Sequence, residues 1–312
     1  MKVAILDDYQ NVALQMADWT PVTQHAEITV FTDHVADPDG VVARLAPFDV
    51  VFVMRERTPL PRAIIERLPN LKMIASTGPY NASIDTEAAA EHGIYIGTTG
   101  GSVASTIELT WALILAGSRN LVGEVLSVRD GGWQVSVGCE LSGRTLGVLG
   151  LGRIGGAVAR IGAAFGMPVI AWSQNLSPAA AEEAGVGYVD RDTLFATSDV
   201  LSIHLRLSDR TRGLVGPAEL AAMKPTALLV NTSRGPIVDE PALIAVLRAR
   251  EIAGAALDTF DIEPLPGGHP LRELDNVIAT PHIGYVADRP YRIFFGDAVA
   301  AIADWLGQNA HG

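Results

Sequence analysis

A chain of 312 residues that is 48% hydrophobic and 19% charged, with 31 glycines, excludes a disordered or low-complexity protein and has length for two domains, each with its own core. The net charge of −12, from 23 basic against 35 acidic residues, argues against nucleic acid or an anionic membrane as partner, since both need clustered positive charge. The single cysteine, Cys139, excludes an intrachain disulfide and a cysteine-based metal centre, so no metal is expected, and it reads as a small buried hydrophobe.

The N-terminal run Val3-Ala4-Ile5-Leu6 enters Asp7-Asp8 and reads as a buried strand, not as a signal peptide. No apolar run reaches the length of a membrane-spanning helix, and a cytoplasmic protein is expected. Strands are predicted at 3–6, 28–31, 50–54, 73–75 and 95–96, with helical stretches at 40–45, 62–67 and 84–91 between them. That alternation implies an α/β fold with a parallel sheet covered on both faces. An apolar helix over 105–118 suits a connection between domains, and 127–138 is turn-rich. A second βαβ series follows, with strands at 145–149, 169–172, 200–204, 227–230, 254–257 and 277–279. Helices are predicted over 154–165, from Asp239-Glu240-Pro241 to Arg250, and over 293–306.

Gly150-Leu151-Gly152-Arg153-Ile154-Gly155 lies between a predicted strand and a predicted helix. The three glycines suit a tight turn, close approach to a pyrophosphate, and close helix packing. The helix N-terminus then offers free amides to the diphosphate. The end of the next strand reads Trp172-Ser173-Gln174-Asn175, with no acid to hold a ribose hydroxyl or repel a 2′-phosphate. The nearest basic candidate by topology is Arg206, in His204-Leu205-Arg206.

Three later strands end in unusual polar residues: Asn231-Thr232-Ser233-Arg234-Gly235, Asp258 through Glu263-Pro264, and Thr280-Pro281-His282-Ile283-Gly284. In a parallel sheet all three segments emerge at the carboxyl edge, where such sheets bind ligands. Hydride transfer from an alcohol needs a base for the hydroxyl proton, and the reverse needs an acid. Histidine serves both directions, a carboxylate steadies its charged form, and a guanidinium grips a carboxylate with two hydrogen bonds. His282, Glu263 and Arg234 supply these three roles.

With these segments the chain resembles the D-isomer-specific 2-hydroxyacid dehydrogenase family over nearly its whole length. The resemblance implies two Rossmann-like domains, with a cofactor domain (101–283) inserted in a substrate domain (1–100 and 284–312). It implies that Arg234 binds the substrate carboxylate, that His282 is the acid or base, and that Glu263 is its partner. Gly150, Gly152, Arg153, Ile154, Gly155, Ser173, Gln174, Asn175, His204, Arg206 and Thr232 would line the cofactor, and Asp258 would touch the nicotinamide carboxamide. Arg55 and the loop Ser76-Thr77-Gly78-Pro79 would meet the substrate, with the backbone amides of Thr77 and Gly78 turned toward it. A homodimer is usual in this family.

The missing acid near Ser173 favours NADP over NAD, and Arg206 stands where relatives commonly have proline. Formate oxidisers carry glutamine where this chain has Glu263, which disfavours formate. The implied activity is hydride transfer between NAD(P)H and a small 2-keto acid, as in a glyoxylate or hydroxypyruvate reductase. An NAD(P)-sensing binding protein on the same fold, and a dehydrogenase with an unusual substrate, are the alternatives.

Overall fold

The computed structural model describes residues 1–309. These residues form two compact units, one of 1–102 with the chain from 287 onward, the other of 103–286.

The first unit holds a five-stranded parallel sheet of β1 (Lys2–Ile5), β2 (Glu27–Val30), β3 (Val50–Val53), β4 (Met73–Ser76) and β5 (Tyr95–Thr98), in the order β2-β1-β3-β4-β5. Strands β3 and β4 are buried at every residue. A strand covered on both faces has no polar side, which is why these read as unbroken apolar runs. The last helix, Asp288–Asn309, belongs to this unit. Its Phe295 stacks on Phe52 of β3 with ring centroids 5.2 Å apart. Its Asp297 accepts the Gly100 amide at 2.8 Å. The N-terminal sheet is therefore completed by residues from the other end of the chain.

The second unit holds seven parallel strands: β6 (Leu146–Leu149), β7 (Val169–Trp172), β8 (Gly187–Tyr188), β9 (Val200–Ile203), β10 (Leu228–Asn231), β11 (Gly254–Leu257) and β12 (Val277–Ala279). Their order is β12-β11-β10-β9-β6-β7-β8. The chain leaves β6 toward β7 on one side and returns to β9 on the other, so the order reverses at β6, where open α/β sheets bind nucleotides. Pairing places Leu149, Trp172, Ile203, Asn231, Leu257 and Ala279 in one row. Gly150, Ser173, His204, Thr232, Asp258 and Thr280 each follow a member of that row and so emerge together.

The strands and longer helices lie within a few residues of their predicted places. Strand β8 and the helices Pro178–Glu183, Arg191–Thr197 and Pro217–Ala222 were not anticipated. They are short, and two of the helices start at a single capping side chain: Ser177 accepts from Ala180 N and Asp190 from Thr193 N. The helix Leu121–Arg129 reaches into the region read as turns and has no buried residue. Cys139 is partly exposed rather than buried. Among the described residues no helix is long and apolar enough to cross a membrane.

Candidate active site

In the second unit, Gly150 closes the turn after β6 with φ +103, a left-handed conformation that suits glycine. A Cβ there would stand 2.9 Å from the His204 carbonyl oxygen. A Cβ on Gly155 would stand 2.1 Å from the Gly150 carbonyl oxygen, so the helix Arg153–Ala164 seats directly on the turn. At Gly152 a Cβ would meet nothing within 4 Å, and no side chain caps this helix. The leading amides of Arg153, Ile154 and Gly155 have no acceptor within the helix. This open, uncapped helix start fits the diphosphate of a dinucleotide.

At the end of β7, Gln174 Nε2 donates to the Arg210 carbonyl at 3.1 Å, and Arg210 donates to Asn175 Oδ1 at 3.4 Å. Arg210 is therefore a cation beside this turn, and sequence reasoning missed it. Arg206 is the cation expected there from topology, and the chain turns just after it. Thr211 Oγ1 donates to the Arg206 carbonyl and accepts the Ser208 amide, and that turn brings Arg210 across to Gln174. His204 Nε2 pairs with Ser202 Oγ at 2.8 Å, and burial pulls the imidazole pKa down to about 4. Thr232, expected at the cofactor, shares its hydroxyl with Thr110 at 2.8 Å and is buried.

Asp258, expected at the nicotinamide carboxamide, has a structural task of its own. It is fully buried and accepts three hydrogen bonds, from Thr280 Oγ1 at 2.6 Å, Ile283 N at 2.8 Å and Gly284 N at 2.8 Å. Burial pushes its carboxyl above the ordinary range, while these donors and His282 pull it back. Both oxygens accept hydrogen bonds within the protein, so Asp258 anchors the segment that carries His282. His282 itself has φ +52, and its amide donates to the Thr280 carbonyl. A histidine held in the left-handed region needs such surroundings to fix it.

His282 Nδ1 lies 2.5 Å from Glu263 Oε2. Glu263 uses its other oxygen to accept the Phe260 amide at 2.9 Å, which orients the carboxylate. The Tyr285 ring meets the imidazole edge-on, with centroids 5.4 Å apart. Arg234 sits on a turn fixed by Asn231, whose side chain accepts from Ser233 N and donates to the Arg234 carbonyl. The next residue, Gly235, approaches the following loop so closely that a Cβ would stand 2.1 Å from the Phe260 carbonyl carbon. This contact brings the Arg234 turn against the loop that carries Glu263. A hydrogen-bonded imidazole and carboxylate, on a loop packed against the turn that bears a guanidinium, are the groups that can handle a proton and a carboxylate substrate.

In the first unit, Arg55 has φ +53 and donates to Thr77 through both its amide and its guanidinium. A Cβ on Gly78 would stand 1.8 Å from that guanidinium. The Thr77 amide donates to the Val53 carbonyl and the Gly78 amide to Thr99 Oγ1. The two amides expected to face substrate are thus taken, because the loop is sewn to β3 and to the residue after β5.

Residues 111–284 match the family model described as D-isomer specific 2-hydroxyacid dehydrogenase, NAD binding domain. A glyoxylate reductase of Aeropyrum pernix is 45% identical over 229 residues, covering 70% of this chain and 68% of the relative. The chain belongs to the D-isomer specific 2-hydroxyacid dehydrogenase family. A glyoxylate reductase of Thermococcus litoralis is 40% identical over 268 residues, covering 83% of this chain and 81% of that protein. The crystal structure of a phosphoglycerate oxidoreductase from Vibrio cholerae o395 superposes with a TM-score of 0.94 at 41% identity, covering 99% of both chains. As a member of this family the protein is an oxidoreductase that exchanges a hydride between a nicotinamide dinucleotide and a 2-hydroxy or 2-keto acid.

Two outcomes follow from this geometry. Asp258→Ala strands the Ile283 and Gly284 amides, and each unsatisfied buried donor costs about 1–3 kcal/mol. Denaturant titration is expected to show a loss of at least about 2 kcal/mol, together with a collapse of turnover; wild-type values for both would contradict the anchoring role. His204 is neutral when folded and takes up a proton more readily when unfolded, so its contribution to stability falls as pH drops from about 6.5 toward 4. Over that window wild type is expected to lose up to about 3 kcal/mol more than His204→Gln, which urea melts at stepped pH would measure.

Proposed function

We propose that the protein reduces a small 2-keto acid, of the glyoxylate or hydroxypyruvate kind, with NADPH preferred over NADH. The pair of His282 and Glu263, 2.5 Å apart, is the observation that carries the chemistry. When bound, the dinucleotide supplies the hydride. Arg234 holds the substrate carboxylate with its two-pronged guanidinium and polarises the adjacent carbonyl. His282 delivers a proton to the forming alkoxide, and Glu263 steadies the imidazolium beforehand. The two relatives named glyoxylate reductase support this substrate class.

The preference for NADPH rests on the turn after β7. It carries no carboxylate to repel a 2′-phosphate, and Arg210 lies against it. Ser173 and Asn175 can donate to phosphate oxygens, and a guanidinium adds charge in a matching geometry. We assign this role to Arg210 in preference to Arg206. The test is kcat/KM for glyoxylate and hydroxypyruvate with each cofactor. His282→Ala is expected to lower turnover by roughly 10²-fold or more while NADPH still binds. Arg210→Ala is expected to cut the NADPH preference, and Arg206→Ala to change it less. A strong wild-type preference for NADH would remove the NADPH reading, and full activity of His282→Ala would remove the acid.

A homodimer is proposed through the helix Leu121–Arg129 and the segment after it. Leu121, Val122, Val125, Leu126, Val128 and Trp133 are all exposed, Trp133 at 73%. An apolar helix with no buried face needs a cover, and a second copy offers the same patch across a two-fold axis. Sedimentation is expected to show a dimer that Val125→Glu dissociates; a wild-type monomer at micromolar concentration would end this assignment.

A further inference from the structure

Glu263 projects from the long loop between β11 and β12, and most of its neighbours on that loop are exposed. Such a loop would let the carboxylate drift unless bonds within and beyond it held it still. Three sets of bonds do so. Glu263 accepts the Phe260 amide, within the loop itself. Arg272 donates to the Leu265 and Pro266 carbonyls, at the far end. The third comes from outside the loop, from Glu240 in the first turn of the helix Glu240–Arg248.

Glu240 Oε2 accepts the Asp261 amide at 3.3 Å, and Glu240 Oε1 pairs with His269 Nε2 at 3.0 Å. His269 Nδ1 accepts the Leu271 amide, so the ring proton belongs on Nε2, facing Glu240. Both side chains are largely shielded, at 16% and 15% exposure. One carboxylate thus spans the loop from the residue after Phe260 to the residue before Pro270. The charges around it are Asp239, which caps the same helix, Asp261 and Arg212. Glu240 and Asp239 help burial push the Asp261 carboxyl up. Three carboxylates gathered here repel one another, and the bonds to Asp261 N and His269 offset that cost.

We propose that Glu240 is a positioning residue for proton transfer: by holding Asp261 and His269 it fixes the loop on which Glu263 meets His282. It touches neither His282 nor Glu263 in any of these bonds, and acts through the backbone between them. The inference rests on Glu263 and His282 being the proton-handling pair proposed above.

The experiment is the pH dependence of keto-acid reduction in wild type, Glu263→Gln, Glu240→Ala, Glu240→Gln and His269→Ala. NADPH affinity by fluorescence and the melting temperature are measured alongside. Glu263→Gln is expected to move the acid-requiring limb to lower pH, because imidazolium without its carboxylate is less populated near neutrality. Glu240→Ala is expected to move the limb the same way and to lower kcat roughly tenfold or more, as small misplacements near a reacting group do. NADPH affinity is expected to hold. Glu240→Gln keeps one acceptor oxygen and should fall between Glu240→Ala and wild type. His269→Ala keeps the Asp261 bond and should give a smaller shift in the same direction.

If Glu263→Gln moves the limb and Glu240→Ala leaves it in place, lowering only the melting temperature, Glu240 is merely structural and the proposal is overturned. If Glu263→Gln leaves the limb in place, the pair itself is wrong and the proposal falls with it. Should Glu240→Ala fail to fold, His269→Ala decides: a limb that does not move overturns the proposal.

Discussion

The second unit turns on one buried carboxylate. Asp258 ends β11 and takes three donors from the segment after β12. Its bonds hold the chain past Ala279 where it folds back across the sheet edge and presents His282 in a left-handed conformation. Two of the donors are backbone amides, so the carboxylate specifies the path of the chain rather than the identity of its side chains. A buried carboxylate is costly unless its lone pairs are filled, and here the cost of burial is offset by hydrogen bonds whose geometry defines the site.

The second constraint is register. Parallel pairing brings six strands to a common edge, and each contributes the residue just beyond. A turn for diphosphate, a turn beside the adenosine end, and three polar segments for chemistry are neighbours because hydrogen-bonded strands leave no other arrangement. Close approach tightens this further. At Gly155 and Gly235 the neighbouring backbone fills the space a methyl group would need. The loops are thus fixed by backbone contact as well as by side chains, which suits a site that must hold reacting groups within a fraction of an ångström.

Much of this was legible in the sequence because it is written in local signals. The glycine turn sits between an apolar run and a helical period, and Arg234, Glu263 and His282 each follow a recognisable strand end. What was hidden depends on partners distant in sequence. Asp258 looks like any acid at a strand end until the amides of Ile283 and Gly284 are seen against it. Arg210 was missed because the turn through Thr211 that brings it to Gln174 is closed by side-chain hydrogen bonds. The Thr77 and Gly78 amides looked free because their acceptors, Val53 and Thr99, lie at the ends of other strands, far along the chain. The short helices after Ser177 and Asp190 were missed because one or two turns carry almost no periodicity.

The helix Asp288–Asn309 has a consequence for the order of assembly. Its Phe295 lies against Phe52, and Tyr291, Phe294 and Ile302 are buried with it in the first unit. The second unit is one continuous stretch of chain and has all its strands as soon as residue 286 is made. The first unit has all its strands far earlier, yet lacks this cover until the helix Asp288–Asn309 is made. During synthesis the earlier-made sheet must therefore wait, with an apolar face open, while the later-made unit folds. A chaperone that binds exposed apolar surface would find its target in the sheet of residues 2–98, and that target would vanish once the helix Asp288–Asn309 packs on it.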